Sequence, residues 1–379
     1  MKKVLILGST GTIGENTLKV IDLNKDKFQV VGIAAKSNFE RLKKQAEKFK
    51  IPYVALVDFK KEYKIKNTKI FFGEEGVLQL IEETKPDILV NAIVGISGLK
   101  PLFFAIKKNV KKIALSNKES IVTAGEILIK EVKKHNVDLI PVDSEHSALW
   151  QCLKNENIEY VEKVIITASG GPLFNKNIKE KTVKKIVSHP VWKMGKKISV
   201  DSATMVNKGF EYVEAHYLFG LPYEKIDILI HPQVLFHSFV KFIDGNILAC
   251  MFYPDMRIPI SYALSCGETR INNMVKSFDW LELNKVRFYK PDYKKFPLLK
   301  LLIYCAKTGY NSYLVAFNAA NEVLVESFIN NKIKFEDIYK ILKKVIFNHN
   351  PLKVYCISDI FEIDKQTRNY TYEMINKER

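Results

Sequence analysis

Apolar positions in the first 150 residues fall in short blocks separated by amphipathic stretches. Lys3 to Gly8, Gln29 to Ala35, Asp87 to Val94, Lys112 to Ser116 and Asp138 to Val142 read as strands, while Asn16 to Leu23, Phe39 to Phe49 and Ala124 to His135 carry helical spacing. This alternation predicts an α/β fold, a Rossmann-like doubly wound parallel sheet over residues 1–143 with helices on both faces. Ligands of such sheets sit at the carboxyl ends of the strands. Near residue 150 the alternation stops, and polar loop sequence follows at Ser169-Gly170-Gly171-Pro172 and Ser188 to Lys197. Ile228 to Ile230 and Leu235 to Phe242, with a turn at Asp244-Gly245-Asn246, predict a largely antiparallel sheet in a second, α+β catalytic domain over residues 144–284. The lysine- and proline-bearing stretch Lys285 to Pro297 reads as a connector, within a linker over 285–300. Leu298 to Lys307, Val315 to Asn330 and Phe335 to Phe347 predict a small C-terminal helical domain over 301–379. Internal repeats and low-complexity tracts are absent.

Composition narrows the class. A chain of 379 residues with 47% hydrophobic and 27% charged residues is that of a soluble globular protein of more than one domain. Apolar runs such as Ile88 to Val94 fall well short of the roughly 20 residues a spanning helix needs, so no membrane association is expected. The run from Met1 stops at Gly8, which fits a first strand better than a leader and predicts a cytoplasmic protein. Five scattered cysteines without a C-x-x-C pair argue against disulfides and against zinc. The net charge of +17 permits nucleic acid, acidic lipid or a phosphorylated metabolite as partner. Arginine, which reads guanine and phosphate by planar pairing, appears only at Arg41, Arg257, Arg270, Arg287, Arg368 and Arg379. The lysines are spread along the chain, as on a solvated surface, so no nucleic-acid partner is expected.

Gly8-Ser9-Thr10-Gly11-Thr12-Ile13-Gly14 follows the first strand and opens the first helix. Absent side chains there let backbone N–H groups approach a pyrophosphate at a helix N-terminus, although G-x-x-G-x-x-G is also an ordinary tight strand–helix turn. The second strand ends at Lys36-Ser37-Asn38 without the acidic residue that would bond a ribose 2′-hydroxyl. Lys36, Ser37 and Arg41 suit a 2′-phosphate, which predicts NADPH over NADH.

Asp143-Ser144-Glu145-His146 also follows an apolar strand, and an i, i+2 pair on an extended segment points both carboxylates to one side. Hard oxygen ligands suit Mg²⁺ or Mn²⁺. Such a pair is also common as a cap or a solvated loop. Lys118, in Ser116-Asn117-Lys118-Glu119-Ser120, is placed to neutralise charge on a substrate oxygen, or else decorates the surface. Asp201-Ser202-Ala203-Thr204-Met205-Val206-Asn207-Lys208-Gly209-Phe210-Glu211 combines hydroxyl, amide, ammonium and carboxylate groups. With Ser169 and His189 it makes a cradle for a dianionic phosphate, or alternatively a helix cap and helix surface.

These motifs, together with His189-Pro190-Val191-Trp192-Lys193-Met194-Gly195-Lys196-Lys197-Ile198-Ser199, Pro254 to Ile260 and Phe317 to Val323, resemble the 1-deoxy-D-xylulose 5-phosphate reductoisomerase family in order and over nearly the whole chain. The resemblance implies NADPH- and divalent-metal-dependent conversion of 1-deoxy-D-xylulose 5-phosphate to 2-C-methyl-D-erythritol 4-phosphate in isoprenoid precursor biosynthesis, by a cytoplasmic homodimer. It implies that Asp143, Glu145 and Glu211 bind Mg²⁺ or Mn²⁺, and that Lys118, Ser144 and Asn207 surround the substrate's oxygens. Ser169, His189, Ser202, Asn207 and Lys208 would hold the phosphate, with Lys118, Asp143, Glu145, His189 and Glu211 as the catalytic set. Gly8, Thr10, Gly11, Thr12, Ile13, Lys36, Ser37, Asn38, Asn117, Glu119 and Gly195 would contact NADPH. Ser188 to Lys197 would form a lid whose Trp192 and Met194 cover the substrate. Departures from the family's pattern stand at Lys36-Ser37-Asn38, at Val234 and at Tyr310 to Tyr313, none of them in the metal set.

Two other functions remain open on residues alone. A dehydrogenase that reduces a carbonyl without isomerising needs only the N-terminal half, and the residues from His189 to Glu211 speak against it. A nucleic-acid-binding protein rests on charge alone and finds no recognition motif.

Overall fold

The computed structural model describes residues 1–59, 63–175, 180–192, 194–272 and 274–378. The N-terminal elements run β1 (Lys2–Leu7), α1 (Thr12–Asp22), β2 (Phe28–Ala35), α2 (Phe39–Phe49), β3 (Tyr53–Leu56), β4 (Lys69–Phe72), α3 (Gly73–Thr84), β5 (Ile88–Asn91), α4 (Leu99–Lys107), β6 (Lys112–Leu115), α5 (Lys118–Lys134), β7 (Asp138–Pro141) and α6 (Ser144–Leu153). There follow β8 (Val161–Ala168), α7 (Val183–Val187), α8 (Lys196–Ala203), α9 (Val206–Phe219), β9 (Ile226–Ile230), β10 (Phe236–Phe242), β11 (Ile247–Met251) and α10 (Arg257–Leu264). The chain ends in α11 (Pro297–Lys307), α12 (Ser312–Ile329), α13 (Phe335–Phe347) and α14 (Ile357–Lys377).

These elements pack as two compact units, neither continuous in sequence. The first comprises Met1–Asn117, Leu128–Gln151 and Asp255–Ser277. Its sheet has the order β4-β3-β2-β1-β5-β6-β7, and every pairing is parallel. Strands covered on both faces must be apolar throughout, and Val4 to Leu7 are fully buried. Helix α10 returns to this unit, packs against α1 and adds Ile260, Ala263 and Leu264 to its core. The strand order reverses between β1 and β5, the place where open α/β sheets bind ligands.

The second unit comprises Lys118–Ile127, Cys152–Pro254 and Phe278–Arg379. Its four strands run β11-β10-β8-β9; the β10–β11 and β8–β10 pairings are antiparallel, and β8–β9 is parallel. The expected turn joins β10 to β11, with Gly245 at φ 89° and the Asp244 carboxylate accepting the Asn246 N–H at 2.9 Å. Helix α12 is the apolar centre of the terminal helices and packs on α13 and α14. No helix among the described residues is long and apolar enough to cross a membrane.

Candidate active site

In the first unit the glycine motif forms the turn between β1 and α1. Gly8 sits at φ +82°, and a Cβ on it would lie 2.5 Å from the Ala92 carbonyl oxygen. A Cβ on Gly14 would lie 2.4 Å from the Ser9 Cα, so both positions require glycine for close backbone approach. Gly11 is the N-cap of α1 and no side chain caps that helix, which leaves the amides of its first turn as donors. The turn is braced from α2: the Ser9 hydroxyl donates to Gln45 Oε1 at 2.8 Å, and Gln45 Nε2 donates to the Ser9 carbonyl at 2.9 Å. Arg41 donates to the Thr10 carbonyl at 3.2 Å and pairs with Glu15 at 2.7 Å.

Lys36, Ser37 and Asn38 are exposed at the carboxyl end of β2, where Asn38 also caps α2 by accepting the Arg41 N–H at 3.1 Å. After β6, buried Asn117 donates to the carbonyls of Ile93 and Gly95 at 2.6 and 2.8 Å, holding the loop that follows β5. A Cβ on Gly98 would press on the Asn117 amide at 2.7 Å. The expected nucleotide residues of this unit therefore share the carboxyl edge of one sheet.

Asp143 follows β7, but the extended carboxylate pair is not what forms. Ser144 begins α6, and Glu145 stands in the first helical turn. The Ser147 N–H donates to the Asp143 carbonyl at 2.8 Å, so Asp143 is the residue from which the helix starts. A Ser-Glu pair is a better helix start than strand continuation, and acidic side chains there favour the positive end of the helix dipole. The Ser144 hydroxyl donates to Glu145 Oε2 at 2.6 Å, and His146 Nδ1 lies 3.8 Å from the Asp143 carboxylate.

The second unit gathers another group around Glu211, which α9 buries to 2% exposure. Lys118 Nζ donates to Asn207 Oδ1 at 2.7 Å and to Glu211 Oε1 at 3.1 Å. Asn207 Nδ2 donates to the same Glu211 oxygen at 2.6 Å, and Lys208 pairs with the other oxygen. Positions 207, 208 and 211 meet because they are three and four apart on one helix. Met205, at φ 62°, turns the chain from α8 into α9 and lets Ser202 and Asn207 flank the turn.

Ser169 and His189 are joined, with Oγ and Nε2 at 2.9 Å. His189 Nδ1 accepts the N–H groups of Val191 and Trp192 at 3.2 and 2.9 Å, which places the ring proton on Nε2 and makes Ser169 the acceptor. Ser169 also accepts the Gly171 N–H at 3.1 Å, so its own hydroxyl hydrogen is left to donate to an anion. Burial pushes the His189 imidazole down to about 4, and it is neutral at pH 7. Gly171 lies against α8, where a Cβ would sit 2.5 Å from the Ser202 carbonyl oxygen. In the expected lid, Trp192 and Met194 are half-buried, Trp192 lies 6.5 Å from the His237 ring, and Lys193 is outside the described residues. Gly195 is the N-cap of α8 and faces open space.

Sequence reasoning missed a buried ionic network. Lys197 pairs with Glu119 at 2.7 Å and Asp201 at 2.9 Å, and Asn321 donates to Asp201 at 2.8 Å. Burial raises the Glu119 carboxyl, but the Lys197 ammonium outweighs it and holds the group below the usual carboxylate range. Burial likewise opposes the charge on Lys197, and Asp201 with Glu119 raises it despite that. Lys197 and Asp201 are an i, i+4 pair, a legible signal; nothing local marks Asn321.

A family model for 1-deoxy-D-xylulose 5-phosphate reductoisomerase matches residues 4–125. Models for that enzyme's C-terminal regions match residues 139–219 and 251–370. The 1-deoxy-D-xylulose 5-phosphate reductoisomerase of Thermodesulfovibrio yellowstonii is 46% identical, with 100% of both chains covered. That of Endomicrobium trichonymphae is 42% identical, again over 100% of both. The solved structure of the enzyme from Zymomonas mobilis in complex with NADPH superposes with a TM-score of 0.90 at 38% identity, covering 99% of each chain. A DOX-P reductoisomerase in complex with NADPH, fosmidomycin and magnesium gives a TM-score of 0.90 at 34% identity, covering 99% of this chain and 98% of that one. Likeness of this extent over the full length of the chain means that this protein belongs to the 1-deoxy-D-xylulose 5-phosphate reductoisomerase family.

Proposed function

We propose that this chain converts 1-deoxy-D-xylulose 5-phosphate to 2-C-methyl-D-erythritol 4-phosphate with NADPH and a divalent cation, a step toward isoprenoid precursors. The observation that carries the reading is the buried Glu211 carboxylate with Lys118, Asn207 and Lys208 on it, in a chain whose likeness to the family is end to end. An NADPH pyrophosphate suits the turn at Gly8 to Gly14, where neither Gly8 nor Gly14 has room for a side chain and the helix start is uncapped. The exposed Lys36-Ser37-Asn38 segment offers a cation and hydroxyl to a 2′-phosphate and no carboxylate to a 2′-hydroxyl. Gly8, Thr10 to Ile13, Lys36 to Asn38, Asn117, Glu119 and Gly195 are the assigned cofactor residues.

Asp143, Glu145 and Glu211 are the assigned ligands of Mg²⁺ or Mn²⁺. Their all-oxygen chemistry fits a hard cation, and the ammonium groups paired with Glu211 mark a place that calls for positive charge. When bound, the cation supplies Lewis-acid polarisation of the substrate's ketone and neighbouring hydroxyl, and the nicotinamide supplies hydride.

Residues of the chain do the remaining work. Lys118 balances negative charge on a substrate oxygen, and Ser144 and Asn207 orient the oxygens by hydrogen bonding. Ser169 donates its free hydroxyl hydrogen to the phosphate because Gly171 and His189 have filled its acceptor sites. Ser202, Asn207 and Lys208 complete that anchor. Binding energy from the phosphate, remote from the reacting carbons, aligns the carbon chain. Trp192 and Met194 cover it and exclude water from the carbonyl to be reduced.

The same reading makes the protein a cytoplasmic homodimer, which sedimentation of the purified chain at micromolar concentration tests as twice the mass of 43.6 kDa. The activity is tested by NADPH oxidation dependent on deoxyxylulose phosphate, abolished by EDTA and restored by Mg²⁺ or Mn²⁺, with kcat/KM higher for NADPH than for NADH. Oxidation that ignores EDTA, or a preference for NADH, contradicts it.

A further inference from the structure

The second unit contains a cleft of about 680 Å³ that none of the assigned catalytic residues lines. Its size lies within the roughly 300–1,000 Å³ of small-molecule sites. The floor is apolar, with Phe296, Leu298, Phe335 and Ile338 buried there. The rim is basic: Lys181, Lys294, Lys295 and Lys340 face a single acid, Glu336. Glu336 is already paired with Lys181 at 2.8 Å, and Lys340 lies 3.8 Å from Asp337. Among the described residues no carboxylate pairs with the ammonium groups of Lys294 or Lys295. The nearby Asp292 carboxylate instead accepts their backbone N–H groups, at 2.8 and 3.2 Å. One wall is formed by Ala203 and Thr204, beside the turn that carries Ser202 and Asn207.

We propose that this cleft binds a small organic anion, a phosphate, sulfonate or carboxylate on an apolar body, at a site separate from the substrate phosphate anchor. The body lies on the phenylalanine and leucine floor, and the anion meets Lys294 and Lys295. A purely apolar ligand would leave the two ammonium groups uncompensated, and inorganic phosphate alone would leave the floor wet; the lining selects a molecule with both parts. The inference does not depend on turnover, so it stands or falls apart from the catalytic reading.

Calorimetric titration of the full chain with 1-naphthyl phosphate tests it, in the presence of saturating deoxyxylulose phosphate and without NADPH. One saturable equivalent per chain is expected, weakening as salt rises. Lys294→Glu combined with Lys295→Glu should weaken it at least fivefold, and the Lys294→Ala, Lys295→Ala pair should do so less. These lysines are exposed on a connector, and unchanged melting temperatures of both variants show that the fold is intact. Neutral 1-naphthol should bind at least tenfold more weakly. Binding of 1-naphthoate with the same sensitivity to the variants assigns the site to anionic amphiphiles generally, and binding of the phosphate alone assigns it to phosphorylated ones. Loss of binding when deoxyxylulose phosphate is added, with the lysine variants unchanged, places the probe on the substrate's phosphate donors and overturns the proposal. Absence of saturable binding up to millimolar probe overturns it as well.

Discussion

Protonation of His189 is the perturbation whose cost the structure lets one work out. Its Nδ1 is engaged by the backbone N–H groups of Val191 and Trp192, and a proton on that nitrogen must displace both. Burial lowers the group from 6.5 to about 4, so the unfolded chain takes up a proton across that window while the folded chain resists it. The contribution to stability is therefore complete above pH 6.5 and is lost as pH falls toward 4. At pH 5 the gap to the ordinary value corresponds to about 2 kcal/mol, and partial exposure of the ring screens this to about 1 kcal/mol. Urea unfolding of the wild type and of His189→Gln at pH 7 and pH 5 reads the difference, because glutamine cannot take up the proton. The wild type should lose about 1 kcal/mol more than the variant between the two pH values. In NMR titration the imidazole should stay neutral down to about pH 4. A midpoint near 6.5, with equal losses in both proteins, refutes the assignment of a neutral, donor-directing histidine.

Three further outcomes are expected. Glu211→Gln should abolish divalent-ion-dependent turnover, with NADPH affinity measured by fluorescence changed by less than about twofold, since the glycine turn is untouched. Gly14→Ala should weaken NADPH binding and lower the melting temperature, because a Cβ there meets the Ser9 Cα at 2.4 Å; an unchanged pair of values would mean that the turn can relax. Lys197→Met should destabilise the fold by about 3–5 kcal/mol in chemical denaturation, as it leaves the Glu119 and Asp201 carboxylates buried without their cation.

Much of the first sheet was legible because β1, β2, β5, β6 and β7 are apolar runs after which the chain turns. Strands β3 and β4 were not, since lysine-rich polar sequence surrounds them and blurs their short apolar runs. The buried stripe of α14 uses Thr367 and Thr371 alongside Ile360, Ile363 and Ile375, so its periodicity is blurred by threonine. Strand β8 lies between β9 and β10, a long-range pairing that no local pattern announces. The return of α10 to the first core is equally non-local. At the site, residue types were readable and geometry was not. Asp143 and Glu145 follow their strand as expected, yet the helix begins at Ser144 and removes the extended alternation on which their common direction was argued. The spacing of Asn207, Lys208 and Glu211 was readable as a helical face, but Lys118, 89 residues away from Asn207, could join it only through folding.

Skeletal rearrangement is the claim that separates this enzyme from a simple NADPH-dependent dehydrogenase. Carbon-13 NMR of the product formed from labelled deoxyxylulose phosphate, NADPH and Mg²⁺ measures it directly. A branched product is expected, with the label in the methyl-bearing skeleton of 2-C-methyl-D-erythritol 4-phosphate. A straight-chain deoxypentitol phosphate, formed by reduction of the ketone where it stands, would contradict it.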